Sequence, residues 1–425
     1  MNFIDELRWR GMLHNMTPEV EKLLSEQKVV GYIGFDPTAP SMTIGNYVQI
    51  MLLTLFQKHG HTPIVLMGGA TGRIGDPSGK SEERQLKTYE ELDRNLSFQV
   101  KQMEKFLDFQ EKENHAILRN NLDFYKEMNV LDFLRDVGKN LTVNYMMSKD
   151  SVKNRLEHGL SFTEFSYQLL QANDFLYLFR NDNCVVQMGG SDQWGNITSG
   201  TEFIRRNTTD GKAHAVTTPL LTKADGSKFG KSTEGNIWLD PELTSPYTFY
   251  QFWLNASNDD IGKYMRYFTF KSKEEVEEIE AKYADQPNEI TRILAEELTR
   301  RVHSDEDYEA VLNVSELLFN KKVGEEYVQN LNLKSLQSIA KEIPSYQVSQ
   351  QEIDKGITLD ELLTEKASIF SSKSELRRAV KANAVAINKK KAESFDALIT
   401  GEDALHAKYI LGENGKKKQF IIEIV

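Results

Sequence analysis

Three short runs of apolar residues stand out in the first half of the chain. They span residues 29–35, 63–67 and 184–188. The first is followed by Asp36-Pro37, and the other two are each followed by a pair of glycines. Continuous apolar runs of this length are typical of strands buried on both faces, as in a parallel sheet. In open α/β sheets ligands bind at the loops that follow the strands. The pattern therefore predicts a crevice at which three such loops meet.

A helix is predicted directly after the first strand, from Tyr47 until Gly60 stops it. Thr43, Gly45 and Asn46 then lie where this helix begins. Free N–H groups and the positive end of the helix dipole attract phosphate at such a position. Gly45 has no Cβ, so a ligand can approach the backbone closely there.

Residues from about 85 to 160 read as a helical insertion whose apolar side chains either fill the core or form a dimer face. Another helix opens at Ser161. On it, Tyr167, Gln171 and Asp174 are four and three residues apart, so they share one face. A phenol, an amide and a carboxylate among apolar neighbours suit a polar ligand in a dry pocket. Simple exposure to solvent is the alternative that the spacing leaves open.

The second half is predicted to be helical from Ser245 onward, with a weaker pattern over about 321–350 that reads as a linker. A helix in the tail carries basic side chains, and a lysine-rich turn precedes a final strand over 420–425. The basic residues concerned are Arg377, Arg378, Lys381, Lys416, Lys417 and Lys418. They predict a contact with RNA, whereas a solvated helix face is the alternative.

Composition narrows the class of protein. The chain of 425 residues has a net charge of −11, which argues against general coating of nucleic acid. Residues 351–425 depart from this, with 13 Lys and Arg against 12 Asp and Glu. Cys184 is the single cysteine, which excludes internal disulfides. No apolar run is long enough to span a membrane, so we expect a cytoplasmic protein.

A lysine-bearing loop far downstream complements the early helix start. Lys223, Lys228 and Lys231 lie in a stretch with Gly226 and Gly230, which predicts movable positive charge over a polyphosphate. The other glycine-rich stretches do not fit standard nucleotide motifs, because only three residues separate the glycines at 75 and 79 where a Walker A loop has four.

These two stretches carry a family resemblance. Thr43-Ile-Gly-Asn46 resembles the HIGH motif of class I aminoacyl-tRNA synthetases, and Lys228-Phe-Gly-Lys231-Ser232 resembles their KMSKS motif. Further blocks over 35–39, 68–72, 75–80, 189–196 and 244–247 are similar to those of bacterial tyrosyl-tRNA synthetases. Together the blocks cover nearly the whole chain.

The resemblance implies an α/β fold with a Rossmann-like parallel-sheet catalytic domain over 1–222, including the helical dimerisation insertion. It further implies a KMSKS-like loop region over 223–245, a helical anticodon-side domain over 246–325, a linker over 326–350 and an S4-like α+β RNA-binding domain over 351–425. The implied partners are L-tyrosine, ATP, tRNA(Tyr) and a second copy of the chain, with no membrane.

It also implies the reaction, in which tyrosine and ATP form tyrosyl-AMP and pyrophosphate before the tyrosyl group passes to tRNA. ATP would arrive with Mg²⁺, and no protein-bound metal or prosthetic group is expected. Tyrosine would be bound by Tyr32, Asp76, Tyr167, Gln171, Asp174 and Gln193. ATP would meet Gly34, Asp36, Gly45, Asn46, Gly190, Asp192 and Lys231. Residues implied to assist the chemistry are Thr38, Thr43, Asn46, Lys80, Arg84, Lys228, Lys231 and Ser232.

The first motif departs from the family pattern, because Thr43 and Asn46 stand where histidines are usual. Both side chains can still donate a hydrogen bond, and we expect Thr43 to assist the γ-phosphate. Two alternatives remain at this point. One is a catalytically silent, synthetase-like RNA-binding regulator; the other is a relative of the tryptophanyl enzymes. Tyr32 and Asp174 favour a phenol as the ligand.

Overall fold

The structure, a computed structural model, describes residues 1–79, 85–110, 113–156, 159–232, 235–320, 322–415 and 418–425. They divide into two units. The first comprises residues 1–240 and 256–291, and the second comprises residues 241–255 and 292–425. The boundaries of the functional domains implied by the family resemblance stay predictions.

A sheet of six strands forms the centre of the first unit. Its strands are β1 (Asn15–Met16), β2 (Val30–Phe35), β3 (Thr62–Met67), β4 (Ile117–Asn120), β5 (Cys184–Gly190) and β6 (His214–Thr218). They lie in the order β1-β6-β5-β2-β3-β4, and all neighbours run parallel except β1, which pairs antiparallel with β6. The order reverses between β2 and β5, which is where an open α/β sheet forms a crevice.

The three predicted strands are confirmed as β2, β3 and β5, and they are the central strands of the sheet. The other three strands of the sheet were not predicted, and of these β1 is only two residues long. The strand β4 lies inside the supposed helical insertion, and its four residues include Arg119 and Asn120, so it shows no apolar run. The strand β6 is fully buried, but two threonines and a histidine among its five residues leave no continuous apolar run in its sequence.

The helices in chain order are α1 (Phe3–Arg10), α2 (Val20–Glu26), α3 (Ile44–Lys58), α4 (Tyr89–Met103), α5 (Leu122–Tyr125), α6 (Val130–Asp132), α7 (Val143–Met147), α8 (Asp150–Leu156), α9 (Phe162–Asp182), α10 (Trp194–Asn207), α11 (Pro246–Leu254), α12 (Asn258–Phe268), α13 (Lys273–Lys282), α14 (Pro287–Val302), α15 (Asp305–Phe319), α16 (Glu325–Gln329), α17 (Leu333–Glu342), α18 (Gln350–Lys355) and α19 (Lys373–Lys381). A π-helical turn, Phe133–Val137, continues α6. None of the described helices is long and apolar enough to cross a membrane.

The second unit contains a five-stranded sheet packed between two apolar clusters. Its strands are β9 (Ser345–Val348), β11 (Val385–Ile387), β12 (Lys390–Lys391), β14 (Tyr409–Asn414) and β15 (Lys418–Ile424), in the order β12-β11-β14-β15-β9. Two short pairs complete the strands: β7 (Lys231–Ser232) with β8 (Gly235–Asn236) in the first unit, and β10 (Ile357–Thr358) with β13 (Leu398–Ile399) in the second.

Alternate residues of β15 enter different clusters, as the period of two in a strand requires. Phe420 and Ile422 pack into one cluster, while Ile421 packs with Leu336 and Ile339 of α17 into the other. The structure therefore places packed helices, together with β9 as the parallel partner of β15, in the segment predicted to be a linker. Its spacing of leucine and isoleucine, rather than its Ser and Gln content, determines the structure there.

Candidate active site

A cavity of about 460 Å³ lies at the carboxyl ends of β2 and β5 and at the amino end of α3. This is the crevice that the sequence predicted. Most of the residues implied by the family resemblance contribute to its wall. They are Tyr32, Gly34, Asp36, Thr38, Thr43, Gly45, Asn46, Asp76, Tyr167, Gln171, Asp174, Gly190, Asp192 and Gln193. Their roles toward a ligand stay predictions.

One end of the cavity presents a buried carboxylate and a buried phenol. Asp174, on α9, accepts hydrogen bonds from Asn121 Nδ2 at 2.8 Å and from the Tyr125 hydroxyl at 2.6 Å. Tyr32, on β2, packs edge to face on Phe175, and among the described residues its buried hydroxyl has no hydrogen-bond partner. A buried polar atom without a partner is costly. A ligand with a polar group is therefore favoured at this end.

The charge state of this end depends on burial. Burial raises the pKa of Asp174 to about 7, although its hydrogen bonds with Tyr125 and Asn121 act in the opposite direction. Burial also raises the pKa of Tyr32 well above its usual value, so that phenol is neutral. Near neutral pH the carboxyl group of Asp174 is therefore poised between an acceptor and a donor of hydrogen bonds.

A second carboxylate, that of Asp36, also lines the cavity. Its oxygens accept hydrogen bonds from the Thr71 hydroxyl at 2.6 Å and from the Tyr167 hydroxyl at 2.9 Å. Gly68 makes this approach feasible, because a Cβ there would lie 1.9 Å from Asp36 Oδ1. The side chain of Asn121 donates to Thr71 Oγ1 as well as to Asp174, so a continuous network joins both carboxylates.

A third group of polar side chains in the cavity wall lies on the loops after β3 and β5. Gln193 Nε2 donates to Asp76 Oδ2 at 2.6 Å, and Gln171 Nε2 lies 3.5 Å from Gln193 Oε1. The backbone N–H of Ser78 donates to the other oxygen of Asp76. Asp192 is nearby, and its burial raises its pKa. This arrangement offers acceptors to an ammonium group without any neighbouring lysine or arginine among the described residues that line the cavity.

The first motif forms the N-terminus of α3, as predicted. Thr43 is the N-cap, and its N–H and hydroxyl both donate to Asn46 Oδ1, at 3.0 and 2.9 Å. The N–H of Asn46 lies 3.4 Å from Thr43 Oγ1, which completes a capping box. In this structure the hydroxyl proton of Thr43 is thus directed to Asn46, and the prediction that it assists the γ-phosphate requires a change of partner.

The second motif lies beside the first, and the segment that follows it forms backbone hydrogen bonds with the start of α3. Ile44 N–H donates to Ile237 O at 3.0 Å, and Leu239 N–H donates to Met42 O at 2.8 Å. Gly230 has a positive φ, and a Cβ there would lie 3.4 Å from the backbone nitrogen of Gly45. Residues 186 positions apart in the sequence, 44 and 230, are therefore neighbours, as the family resemblance implies.

The lysines of this motif do not line the cavity. Lys228 and Lys231 are exposed on the ribbon formed by β7 and β8 and the loop before it. Lys80 and Arg84 lie outside the described residues, and of Ser232 only the backbone is described. The phosphate-binding charge predicted for the site is thus not assembled around the cavity by the described residues.

The basic residues of the tail lie on one helix and at the start of one strand. Arg377, Arg378 and Lys381 are exposed on α19, and Lys418 is exposed where β15 begins. None of these four forms an ion pair with a described residue, whereas Lys373 on the same helix pairs with Asp360 at 2.9 Å. Lys416 and Lys417 lie outside the described residues.

Three residues around the cavity were not found from the sequence, namely Thr71, Asn121 and Tyr125. They act through contacts with Asp36 and Asp174, which are 35 to 53 positions away in the chain. No periodicity or motif signals such contacts. Only Thr71 lies within a sequence block that resembles the family, Gly68-Gly-Ala-Thr-Gly72.

Comparison with known families identifies the class to which the chain belongs. The family model described as tRNA synthetases class I (W and Y) matches residues 24–320, and that of the tyrosine–tRNA ligase SYY-like C-terminal domain matches residues 335–422. The chain therefore belongs to the class I tRNA synthetases of the tryptophan and tyrosine type.

Similar proteins indicate which of the two amino acids, tryptophan or tyrosine, the chain's relatives use. The tyrosine–tRNA ligase of Cytophaga hutchinsonii is 52% identical over 425 residues, and that of Bacteroides thetaiotaomicron is 49% identical over 429 residues. Each alignment covers 99% of both chains. A C-terminally truncated mitochondrial tyrosyl-tRNA synthetase from Aspergillus nidulans is 30% identical, with a TM-score of 0.67 over 75% of this chain and 94% of that chain. Within the class, the chain is a member of the tyrosine–tRNA ligases. The predicted enzyme class is confirmed, and the alternatives of a silent regulator and a tryptophanyl relative are set aside.

Proposed function

We propose that the cavity binds L-tyrosine with its phenol at Asp174 and Tyr32. The carboxylate of Asp174 keeps lone pairs that Asn121 and Tyr125 do not use, and the hydroxyl of Tyr32 lacks a partner in the described part of the chain. Phenylalanine would leave these buried polar atoms unpaired. Tyrosyl enzymes are the general example of this effect, in which a pocket rejects phenylalanine because its own buried polar groups would lose their hydrogen-bond partner.

The ammonium group of the substrate would lie beside Asp76, Tyr167 and Gln171, with Gln193 holding Asp76 in place. The support is geometric, since Gln193 Nε2 donates to Asp76 at 2.6 Å and Gln171 Oε1 is buried without a partner among the described residues. A positive charge in this position balances the buried carboxylates.

ATP would lie across the amino end of α3. Gly34 and Gly45 leave room for it, because a Cβ at Gly34 would meet nothing within 4 Å and one at Gly45 only Thr43 Oγ1 at 3.4 Å. Asp36 and Thr38 would face the nucleotide, and Gly190 and Asp192 its ribose. Lys80, Arg84, Lys228, Lys231 and Ser232 would supply positive charge and a hydroxyl to the phosphates. Mg²⁺ would arrive bound to ATP, because this ion is held mainly by substrate phosphates and water at sites of this kind.

The reaction follows from this placement. The carboxylate oxygen of tyrosine attacks the α-phosphorus of ATP, the bond to the bridging oxygen breaks, and pyrophosphate leaves with its charge. A ribose hydroxyl at the 3′ end of tRNA(Tyr) then attacks the tyrosyl carbonyl, and AMP leaves. Phosphoryl chemistry of this kind depends mainly on positioning and on stabilised charge.

The remaining partners are proposed from two surfaces. Arg377, Arg378, Lys381 and Lys418, with Lys416 and Lys417, would contact the phosphates of tRNA(Tyr). Exposed apolar side chains cluster along one segment of the first unit, namely Val130, Leu131, Leu134, Val143, Met147 and Phe162. Exposed apolar patches of this kind mark protein interfaces, and a homodimer would cover this one. The cytoplasm stays the predicted location.

The observation that carries the proposal is the buried pair of Asp174 and Tyr32 at one end of the cavity. The test is exchange of radiolabelled pyrophosphate into ATP by the purified protein. We expect exchange that requires tyrosine and is not supported by tryptophan. Lys231→Ala should slow it by on the order of 3 kcal/mol of activation free energy, as is typical when a preorganised charge is removed. Exchange without tyrosine, or none at all, would contradict the proposed function.

A further inference from the structure

The hydroxyl of Tyr125 is a buried group that the proposed reaction does not use. Tyr125 ends the short helix α5 and does not line the cavity. Its hydroxyl lies 2.6 Å from Asp174 Oδ1 and 3.0 Å from the carbonyl oxygen of Leu170, which is one turn earlier on α9. Tyr125 thus reaches the carboxylate from behind, on the side away from the ligand space.

The hydroxyl has one proton and two acceptors. The shorter distance and the negative charge of the acceptor favour donation to Asp174 when that residue is ionised. Asn173 Nδ2, at 3.4 Å, supplies a donor to the Tyr125 oxygen. The Tyr125 ring is fixed by apolar packing, with Phe133 edge to face at 6.3 Å. The donor is therefore held at its position before any ligand enters.

Asp174 receives one donor on each oxygen, Tyr125 on Oδ1 and Asn121 on Oδ2. This pairing fixes the plane of the carboxylate. Each oxygen retains one lone pair, and the cavity is the side on which a ligand can reach them. Asp174 lies on α9 and Tyr125 lies on the segment after β4, so the contact joins two separate parts of the chain behind the ligand space.

We propose that Tyr125 is a positioning residue that holds the Asp174 carboxylate as an oriented acceptor for the phenolic hydroxyl of the substrate, and thereby contributes to discrimination between tyrosine and phenylalanine. The inference rests on the proposed function. Selectivity then depends on a tyrosine of the protein that never touches the ligand.

The charges around Asp174 support this assignment. The titratable groups that face it are Tyr125, Tyr32, Tyr167 and Asp36, and none of these is a cation. Burial raises the pKa of Asp174 to about 7, and the hydrogen bonds from Tyr125 and Asn121 are what lower it. Without Tyr125 the carboxyl group would hold its proton to higher pH. A protonated carboxyl group can donate as well as accept, so it distinguishes a phenol less well.

The test is Tyr125→Phe, which keeps the ring and removes only the hydroxyl. In tyrosine-dependent pyrophosphate exchange we expect the KM for tyrosine to rise about tenfold, as for the loss of one hydrogen bond to a charged group. The KM for ATP should change less than twofold. The preference for tyrosine over phenylalanine should fall by a similar factor, because phenylalanine does not use the acceptor.

The pH profile separates this role from a merely structural one. The ionised carboxylate is the acceptor, so kcat/KM for tyrosine should fall as pH decreases through the pKa of Asp174. In Tyr125→Phe this pKa is higher, so the fall should begin at higher pH than in the wild type, and raising the pH should restore much of the lost affinity.

The matched control is Tyr267→Phe. Tyr267 is buried in the same unit and donates its hydroxyl to Gly11 O at 2.7 Å, remote from the cavity. Both variants should lose a similar amount of thermal stability, but only Tyr125→Phe should change the KM for tyrosine and the pH profile. Normal discrimination and an unshifted profile in folded Tyr125→Phe would overturn the inference. Absence of exchange in the wild type would instead contradict the proposed function.

Discussion

Replacing Thr43 by alanine separates two roles of the residue that begins α3. Its hydroxyl caps the helix by accepting from the N–H of Asn46 at 3.4 Å, and it donates to Asn46 Oδ1 at 2.9 Å. Loss of an N-cap hydroxyl costs about 0.5–2 kcal/mol of stability. The capping distance is long for a hydrogen bond, so we expect a cost in the lower half of that range.

The effect on activity should be larger than the effect on folding. Two donors orient the Asn46 amide, namely the N–H and the hydroxyl of Thr43. Alanine removes one of them, which is worth about 1 kcal/mol, and it removes any contact that the hydroxyl makes with phosphate. We expect kcat/KM for ATP in pyrophosphate exchange to fall at least tenfold, and Thr43→Ser to restore most of it.

Ser272→Ala is the matched control. Ser272 caps α13 in the same unit with the same kind of capping box, and its Oγ accepts from the N–H of Glu275 at 3.2 Å. Both alanine variants should lower the free energy of unfolding, measured by urea denaturation, by similar amounts. If Thr43→Ala kept normal exchange while losing stability as the control does, Thr43 would be a helix cap only, and the proposed contact with ATP would be wrong.

Two further substitutions test the nucleotide space and the tail. Gly34→Ala should fold normally, because a Cβ at this position meets no protein atom within 4 Å. The new methyl group would enter the ligand space, so we expect the KM for ATP to rise by a factor that corresponds to about 1–3 kcal/mol of lost binding free energy. The control is Gly401→Ala, which is equally open and should leave the KM for ATP unchanged. Replacing Arg377 and Arg378 together by alanine should raise the KM for tRNA and reduce its dependence on salt while exchange stays normal. Lys373→Ala should have a weaker effect because Lys373 is already paired with Asp360, and equal effects would argue against a specific phosphate contact.

The central strands and the loops at their ends were predictable because each signal is local. A run such as 63–67 is apolar over its whole length, and its buried position follows from that pattern alone. The capping box that begins α13 is a local signal of the same kind, because Ser272 and Glu275 are only three positions apart in the sequence. In contrast, the edge strand β4 has one neighbour in the sheet and an exposed Leu118, so burial imposes little pattern on its sequence.

The side chains that line the cavity were predicted from matched blocks and from one helix face, but the residues that support them were not. Asp36 stands in the block over 35–39, and Asp174 was predicted from the helix face that it shares with Tyr167 and Gln171. In contrast, Asn121, which joins the two carboxylates through Thr71 and its own amide, lies in a segment read only as helical insertion. A residue whose role is to orient another side chain is recognisable only from its contacts in three dimensions. Its identity therefore becomes informative only once β4 is placed beside β3.

The tyrosine-binding groups and the phosphate-binding lysines differ in how completely they are assembled, and this has a consequence for the order of events. Asp174 is buried and fixed by hydrogen bonds. In contrast, Lys228 and Lys231 are exposed outside the cavity, in the segment that leads to the start of β7. Charge that moves onto the phosphates late stabilises the transition state more than the bound substrate. We therefore expect substitution of these lysines to lower kcat for adenylation more than it raises the KM for tyrosine, and substitution at Tyr125 to do the reverse.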